Sequence, residues 1–131
     1  MPRITIVQIS KPAGHDINAE LQWLGNSLGL FSLRDKDKSC FRLFVELLKS
    51  AKQHTPLSSD ELGEKLHLTR GTVVHHLDRL MESGIVVSEK RRYLLRVERL
   101  SSLIEEMEKD LERTCRNLKE IAEDIDRWMG L

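Results

Sequence analysis

The chain has 131 residues, of which 40% are apolar, 32% charged and only 5% aromatic. That length buries a core without disulfides or metals, and the balance of 21 basic against 21 acidic residues argues against indiscriminate coating of nucleic acid while allowing a local basic face. The charge is uneven along the chain: residues 1–57 carry a net of +3, residues 58–97 a net of +1 and residues 98–131 a net of −4. Cys40 and Cys115 lie far apart, as in a protein of a reducing compartment rather than a disulfide scaffold. No apolar run approaches the roughly 20 residues that span a bilayer, and MPRITIVQIS is too short and polar for a signal peptide. The expectation is a cytoplasmic protein with no membrane partner.

In chain order, Ile4, Ile6 and Ile9 alternate with polar residues and predict a short strand. KPAGH, residues 11–15, breaks it, and Asp16 is placed to cap a helix carrying Ile17, Leu21, Leu24 and Leu28. Residues 1–35 therefore read as an N-terminal extension of one strand and one helix. From Ser39 to about Gln53, Phe41, Phe44, Val45, Leu47 and Leu48 form a helical stripe, which Thr55-Pro56 ends because the residue before proline is driven out of the helical region. Ser58-Ser59-Asp60-Glu61 is a capping box opening a short helix through Leu62 and Leu66. Thr69 caps the next helix, predicted to run to about Ser83 and to close on Gly84.

Ile85, Val86 and Val87 predict one strand and Tyr93 to Val97 its partner, with SEKRR between them as in a β-hairpin. The remainder predicts a single helix. Val97, Leu100, Ile104, Met107, Leu111, Thr114, Leu118, Ile121, Ile125 and Trp128 recur at alternating spacings of three and four, an a/d heptad with Thr114 as its one polar member. Such a helix is on the order of 45 Å long and leaves an apolar seam that needs a partner. Leu103, Cys115, Ala122 and Met129 widen the stripe, and both cysteines fall on apolar stripes, which places them in the core.

Helix, short turn, helix and two-stranded wing over residues 58–97 resembles the winged helix-turn-helix. LTRGTVVHHLDRLMESGIV, residues 68–86, is similar to the recognition-helix signature of ArsR-type transcriptional regulators. The long last helix is similar to the dimerisation helices of PadR-like and related archaeal regulators. The expected fold class is mainly α with a small β-hairpin wing: a winged helix-turn-helix over residues 36–97, followed by a long C-terminal coiled-coil helix over residues 98–131.

On a helical projection, Val73, Val74, Leu77, Leu80 and Met81 gather on the inner face of helix 69–83. His75 then lies opposite, beside Thr72 and Arg79, with Asp78 pointing elsewhere and His76 at the border. Adjacent histidines on a helix diverge, so the two do not chelate one metal. For His76 the alternative is a half-buried side chain bonded to the adjoining helix. The resemblance implies that the exposed positions of this helix enter the DNA major groove: Arg70, Thr72, His75 and Arg79, with His76 at the edge. Thr69 and Gly71 at the helix start, where backbone N–H groups suit a phosphate, Ser59 on the preceding helix, and Lys90, Arg91 and Arg92 on the wing complete the DNA-binding set. Gly71 marks either a close approach to a neighbour or phosphate, or a glycine merely tolerated near a helix start.

The metal-sensing cysteine motif of ArsR relatives belongs on the helix before the recognition helix, where this chain has SDELGE, so no metal and no cofactor are expected. No Gly-rich phosphate loop or nucleophile elbow occurs, and no enzyme is expected. The leading expectation is a sequence-specific regulator that binds double-stranded DNA as a homodimer through Leu100, Ile104, Met107, Leu111, Leu118, Ile121, Ile125 and Trp128. The alternative is a winged-helix adaptor that binds protein or a ribonucleoprotein such as the ribosome, a reading that the acidic last helix and Val74 favour.

Overall fold

The computed structural model describes residues 3–31 and 37–131. The boundary drawn from the sequence between residues 35 and 36 lies outside the described residues. The element order is α1 (Ile17–Ser27), α2 (Ser39–Lys52), β1 (Leu57–Ser58), α3 (Ser59–Leu66), α4 (Arg70–Glu82), β2 (Val86–Glu89), β3 (Arg92–Leu95) and α5 (Leu100–Met129). This is a mainly helical fold with a small antiparallel sheet in the order β1-β3-β2.

The centre is α2. Cys40, Leu43, Phe44 and Leu47 are fully buried, and against them pack Leu62 and Leu66 of α3, Val73, Leu77 and Leu80 of α4, Ile85, Val86 and Leu95 of the wing, and Leu103 and Met107 of α5. α3, α4 and β3 pack directly on α2, and β2 and α5 add their buried residues to the same core, which is how short elements share one apolar interior. Cys40 is buried as expected, but Cys115 is exposed, because α5 has left the core before it is reached.

Several sequence expectations need correction. Residues 4–9 form no strand; the segment runs irregularly, held where Val7 N–H donates to the Ser27 carbonyl at 2.8 Å and Arg3 N–H to that of Glu82. Alternation alone does not make a strand: these residues pair with neither outer strand of the sheet, and Ile6, Val7 and Ile9 stay exposed. The sheet has three strands rather than two, because the residues just before α3 pair with β3, Leu57 opposite Tyr93 and Ser58 opposite Arg92. The wing tip is also tighter than SEKRR suggested. Ser88, Glu89 and Arg92 are strand residues, leaving Lys90 and Arg91 as a two-residue turn with φ of 52° and 63°. Positive φ at both positions matches the twist of paired strands, although Asn-Gly is the usual choice there.

α5 divides at Leu111. Leu103 and Met107 are buried in the chain's own core and Leu100 is packed against it, so Leu100 and Met107 are not free to meet a second subunit as the heptad had implied. A periodic stripe does not say which neighbour covers it, and here the first turns of α5 lie on their own domain. From Leu111 onward all residues are exposed. Where α5 departs, Arg96 after β3 donates to Asp110 at 2.5 Å, with Glu106 3.5 Å from the same guanidinium and Arg113 3.0 Å from the same carboxylate. Hydrogen bonding from Arg96, with the charges of Arg96 and Arg113, holds the Asp110 carboxyl below its ordinary value of 3.8, against the opposing effect of burial.

A carboxyl whose pKa is lowered by folding stabilises the fold above its unfolded pKa, and that contribution disappears as pH falls through the folded value. Asp110→Asn is therefore expected to lower unfolding stability at pH 7 by about 1–2 kcal/mol. The gap to the unaltered protein should narrow below about pH 4, as protonation of Asp110 removes the ion pair that the variant already lacks. Denaturant titrations of the two proteins at pH 7 and pH 3 check this; equal gaps at both values would contradict it.

Candidate nucleic-acid interface

The pair α3 and α4 is built locally. Ser58 caps α3 by accepting from the Glu61 N–H at 3.1 Å, and Thr69 caps α4 by accepting from the Thr72 N–H at 3.2 Å. Between them His67 takes a left-handed conformation and the Leu68 N–H returns to the Gly63 carbonyl at 2.9 Å. A Cβ at Gly63 would stand 3.0 Å from the Leu68 carbonyl oxygen, so the glycine allows the turn to close tightly. Arg42 reaches across from α2 and donates to the terminal Leu66 carbonyl at 2.7 Å, satisfying a helix end that has no intrahelical partner. Gly84, with φ of 77°, follows the last turn of α4 as expected.

The rotation of α4 about its axis differs from the projection. Val73, His76, Leu77 and Leu80 face inward, and Val74 is 37% exposed. His76 is 6% exposed, with Nε2 2.7 Å from Ser39 Oγ at the start of α2. That polar contact lets a histidine occupy the inner face where hydrophobicity alone would place Val74. His76 is thus withdrawn from the DNA-facing set, in agreement with its alternative reading.

Arg79 is withdrawn as well. Its guanidinium donates to the Gly29 carbonyl at 2.6 Å, and the residue is half-buried against the segment after α1. The outward face of α4 holds Arg70, Gly71, Val74, His75, Asp78 and Glu82, all exposed, with Thr72 half-buried beside them. Asp78 therefore shares the exposed face with His75, one turn away, which the sequence reading had excluded. Nothing lies within 4 Å of a Cβ built at Gly71, so no protein neighbour crowds it.

Of the remaining predicted residues, Ser59 is half-buried in the first turn of α3, while Thr69 is exposed and its hydroxyl donates to Thr72 Oγ1 at 2.9 Å. On the wing, Lys90 and Arg91 are exposed at the tip. Arg92 instead donates to Glu61 at 2.7 Å and to the Pro56 carbonyl at 3.2 Å, tying β3 to the head of α3. The sequence carried a faint sign of this clamp, a capping-box glutamate and a basic strand, but not that the two meet.

The structure thus brings Arg70, Gly71, Thr72 and His75 together around the α4 N-terminus and leaves Lys90 and Arg91 free on the wing. Backbone N–H groups at a capped helix start and arginine beyond them suit phosphate and base-edge recognition. Among the described residues, no group of three or more His, Cys, Asp or Glu is arranged to hold a metal, and no helix is long and apolar enough to cross a membrane.

The two histidines should separate by stability. His76→Ala is expected to cost about 1–3 kcal/mol, since it removes a buried side chain and its hydrogen bond with Ser39. His75→Ala, on an exposed face, should stay within about 0.5 kcal/mol. Urea unfolding of the two variants tests the assigned rotation of α4, and a larger loss for His75→Ala would reverse it.

Residues 42–94 match a family model described as HTH domain, a stretch that begins in the first turn of α2 and ends in β3. No curated protein and no solved structure matches the chain. The match and the fold together support a DNA-binding helix-turn-helix domain over residues 42–94.

Proposed function

We propose that the protein is a cytoplasmic transcriptional regulator that binds double-stranded DNA sequence-specifically as a homodimer. It would consist of an N-terminal extension, a winged helix-turn-helix domain ending near residue 97, and a C-terminal dimerisation helix. The observation that carries this reading is the exposed N-terminal half of α4, where Arg70 and His75 project from a helix start capped by Thr69. In the major groove Arg70 reads guanine by paired hydrogen bonds, His75 meets a base edge, and the Gly71 backbone approaches a phosphate. Lys90 and Arg91 contact backbone phosphates or the minor groove from the wing tip.

Dimerisation matters because one domain has little net charge with which to attract phosphate. The seam of α5 from Leu111 to Trp128, exposed along its length, supports a second copy as the partner.

A second reading has its own observation. Val74 and Asp78 lie exposed among the proposed readers, and an apolar and an acidic residue on that face fit a protein or ribonucleoprotein surface better than a phosphate backbone.

Selection of binding sites from a random double-stranded DNA pool, at physiological salt, decides between these. The regulator reading expects a palindromic site. Arg70→Ala with His75→Ala should weaken binding roughly tenfold or more and relax sequence preference. Lys90→Ala with Arg91→Ala should weaken binding alike on all sequences and reduce the slope of log K against log salt by up to about 2. Absent binding, or weak and sequence-blind binding indifferent to Arg70 and His75, would overturn DNA reading and favour the adaptor.

A further inference from the structure

The homodimer reading leaves open how two α5 helices meet, and the residues flanking the seam carry that information. Beyond Leu111 the seam consists of Leu111, Thr114, Leu118, Ile121, Ile125 and Trp128, with Trp128 86% exposed. The row on one side of it is Cys115, Ala122 and Met129, small or apolar throughout. The row on the other side is Asp110, Asn117 and Asp124, polar throughout.

A parallel pair sets each row against the opposite row of its partner, which would put Asn117 beside the partner's Ala122 and Asp124 beside the partner's Met129. An antiparallel pair sets each row against its own kind.

We propose, resting on the homodimer reading, that two copies pair the exposed halves of α5 antiparallel, with Leu118 of each packed on Ile121 of the partner subunit. The same register places Thr114 against the partner's Ile125 and Leu111 against the partner's Trp128. In the flanking rows Cys115 faces the partner's Ala122, and the Asn117 amide faces the partner's Asp124, a pairing in which an N–H donor meets a carboxylate; only the outer ends are mismatched, with Met129 beside the partner's Glu108 and Leu131 beside the partner's Asp110.

Neighbouring registers are worse in physical terms. One heptad farther out, Asp124 would face the partner's Asp124 and two seam layers would be uncovered. One heptad farther in, Asp110 would face the partner's Asp124, and Met107, already buried in its own domain, would be required as a seam residue.

The seam also runs on into a groove of about 300 Å³ between α1 and α5, whose walls include Trp23, Leu24, Ile104, Met107 and Leu111. In the proposed register the partner's Trp128 lies at Leu111, on the rim of that groove, so the most exposed aromatic residue and the end of the groove cover one another. The two Met107 residues, the last buried positions of each α5, are then about 38 Å apart along the rod.

Engineered thiols test the order of the helices in the full-length protein. The unaltered chain, Ala122→Cys, Thr114→Cys and Trp128→Ala are sedimented under reducing conditions, and the two cysteine variants are then mildly oxidised and mapped by peptide mass spectrometry. The expected result is a dimer in which the thiol introduced at 122 links to Cys115 of the partner subunit in most chains, while the thiol at 114 forms no link to its own counterpart. Positions 115 and 122 of one helix stand about 10 Å apart, too far for a disulfide, so this link reports pairing between chains. Trp128→Ala should raise the dimer dissociation constant roughly tenfold or more. A dimer that links at 114 to 114 and not at 115 to 122 would overturn the antiparallel order while leaving the homodimer intact. A monomer throughout would overturn the homodimer reading, and the antiparallel proposal with it.

Discussion

Where Ser39 Oγ meets His76 Nε2, at 2.7 Å in the buried contact of α2 with α4, the rotation of the helix-turn-helix is decided. α4 has apolar residues at both Val73 and Val74, and either could define its inner face. Turning it so that His76 points inward buries an imidazole, which is costly unless a polar partner stands opposite, and the first residue of α2 provides one. With the helix held at that angle, Val73, Leu77 and Leu80 fill the core against Phe44 and Leu47, and His75, one residue on from Val74, must face outward. The exposed face of the domain is therefore a consequence of a contact on its hidden side.

The cations of the chain divide in the same way. Arg42, Arg79, Arg92 and Arg96 each reach a carbonyl or carboxylate of the chain itself, at Leu66, Gly29, Pro56 with Glu61, and Asp110. A guanidinium suits this work because it presents several donors in a fixed plane and can close a helix end or tie two elements at once. Those four hold the turn, the segment after α1, the wing and the root of α5. Arg70, Lys90 and Arg91 are left exposed, so the positive charge available to an outside partner is smaller than a count of basic residues implies. In the proposed dimer a second copy would double the few cations exposed on α4 and the wing, which would link the modest charge of the domain to its long helix.

α5 joins the two problems. Its first turns complete the core through Leu103 and Met107, and its remainder carries Leu118, Ile121, Ile125 and Trp128 into solvent. One continuous helix with 30 residues thus makes the angle of the exposed rod depend on the packing of the domain, with the Arg96–Asp110 ion pair at the point of departure. Any partner seated on the rod is thereby placed relative to α4, without a flexible joint between them.

Much of this was legible in the sequence. Capping residues announce helix starts by a local hydrogen bond, so Asp16, Ser58 and Thr69 located α1, α3 and α4 correctly, and heptad spacing located α5. The helix-turn-helix and wing followed from those local signals, as did the exposure of Arg70 and His75. Tertiary structure alone decided the rest. It put His76 inside and Val74 outside, turned Arg79 inward onto a carbonyl, tied the exposed Arg92 to Pro56 and Glu61, added β1 to the sheet, denied residues 4–9 a strand, and divided α5 at Leu111. Each of these depends on which group from a distant part of the chain stands opposite. A local pattern records how often a residue recurs on a face; it does not record what that face will meet.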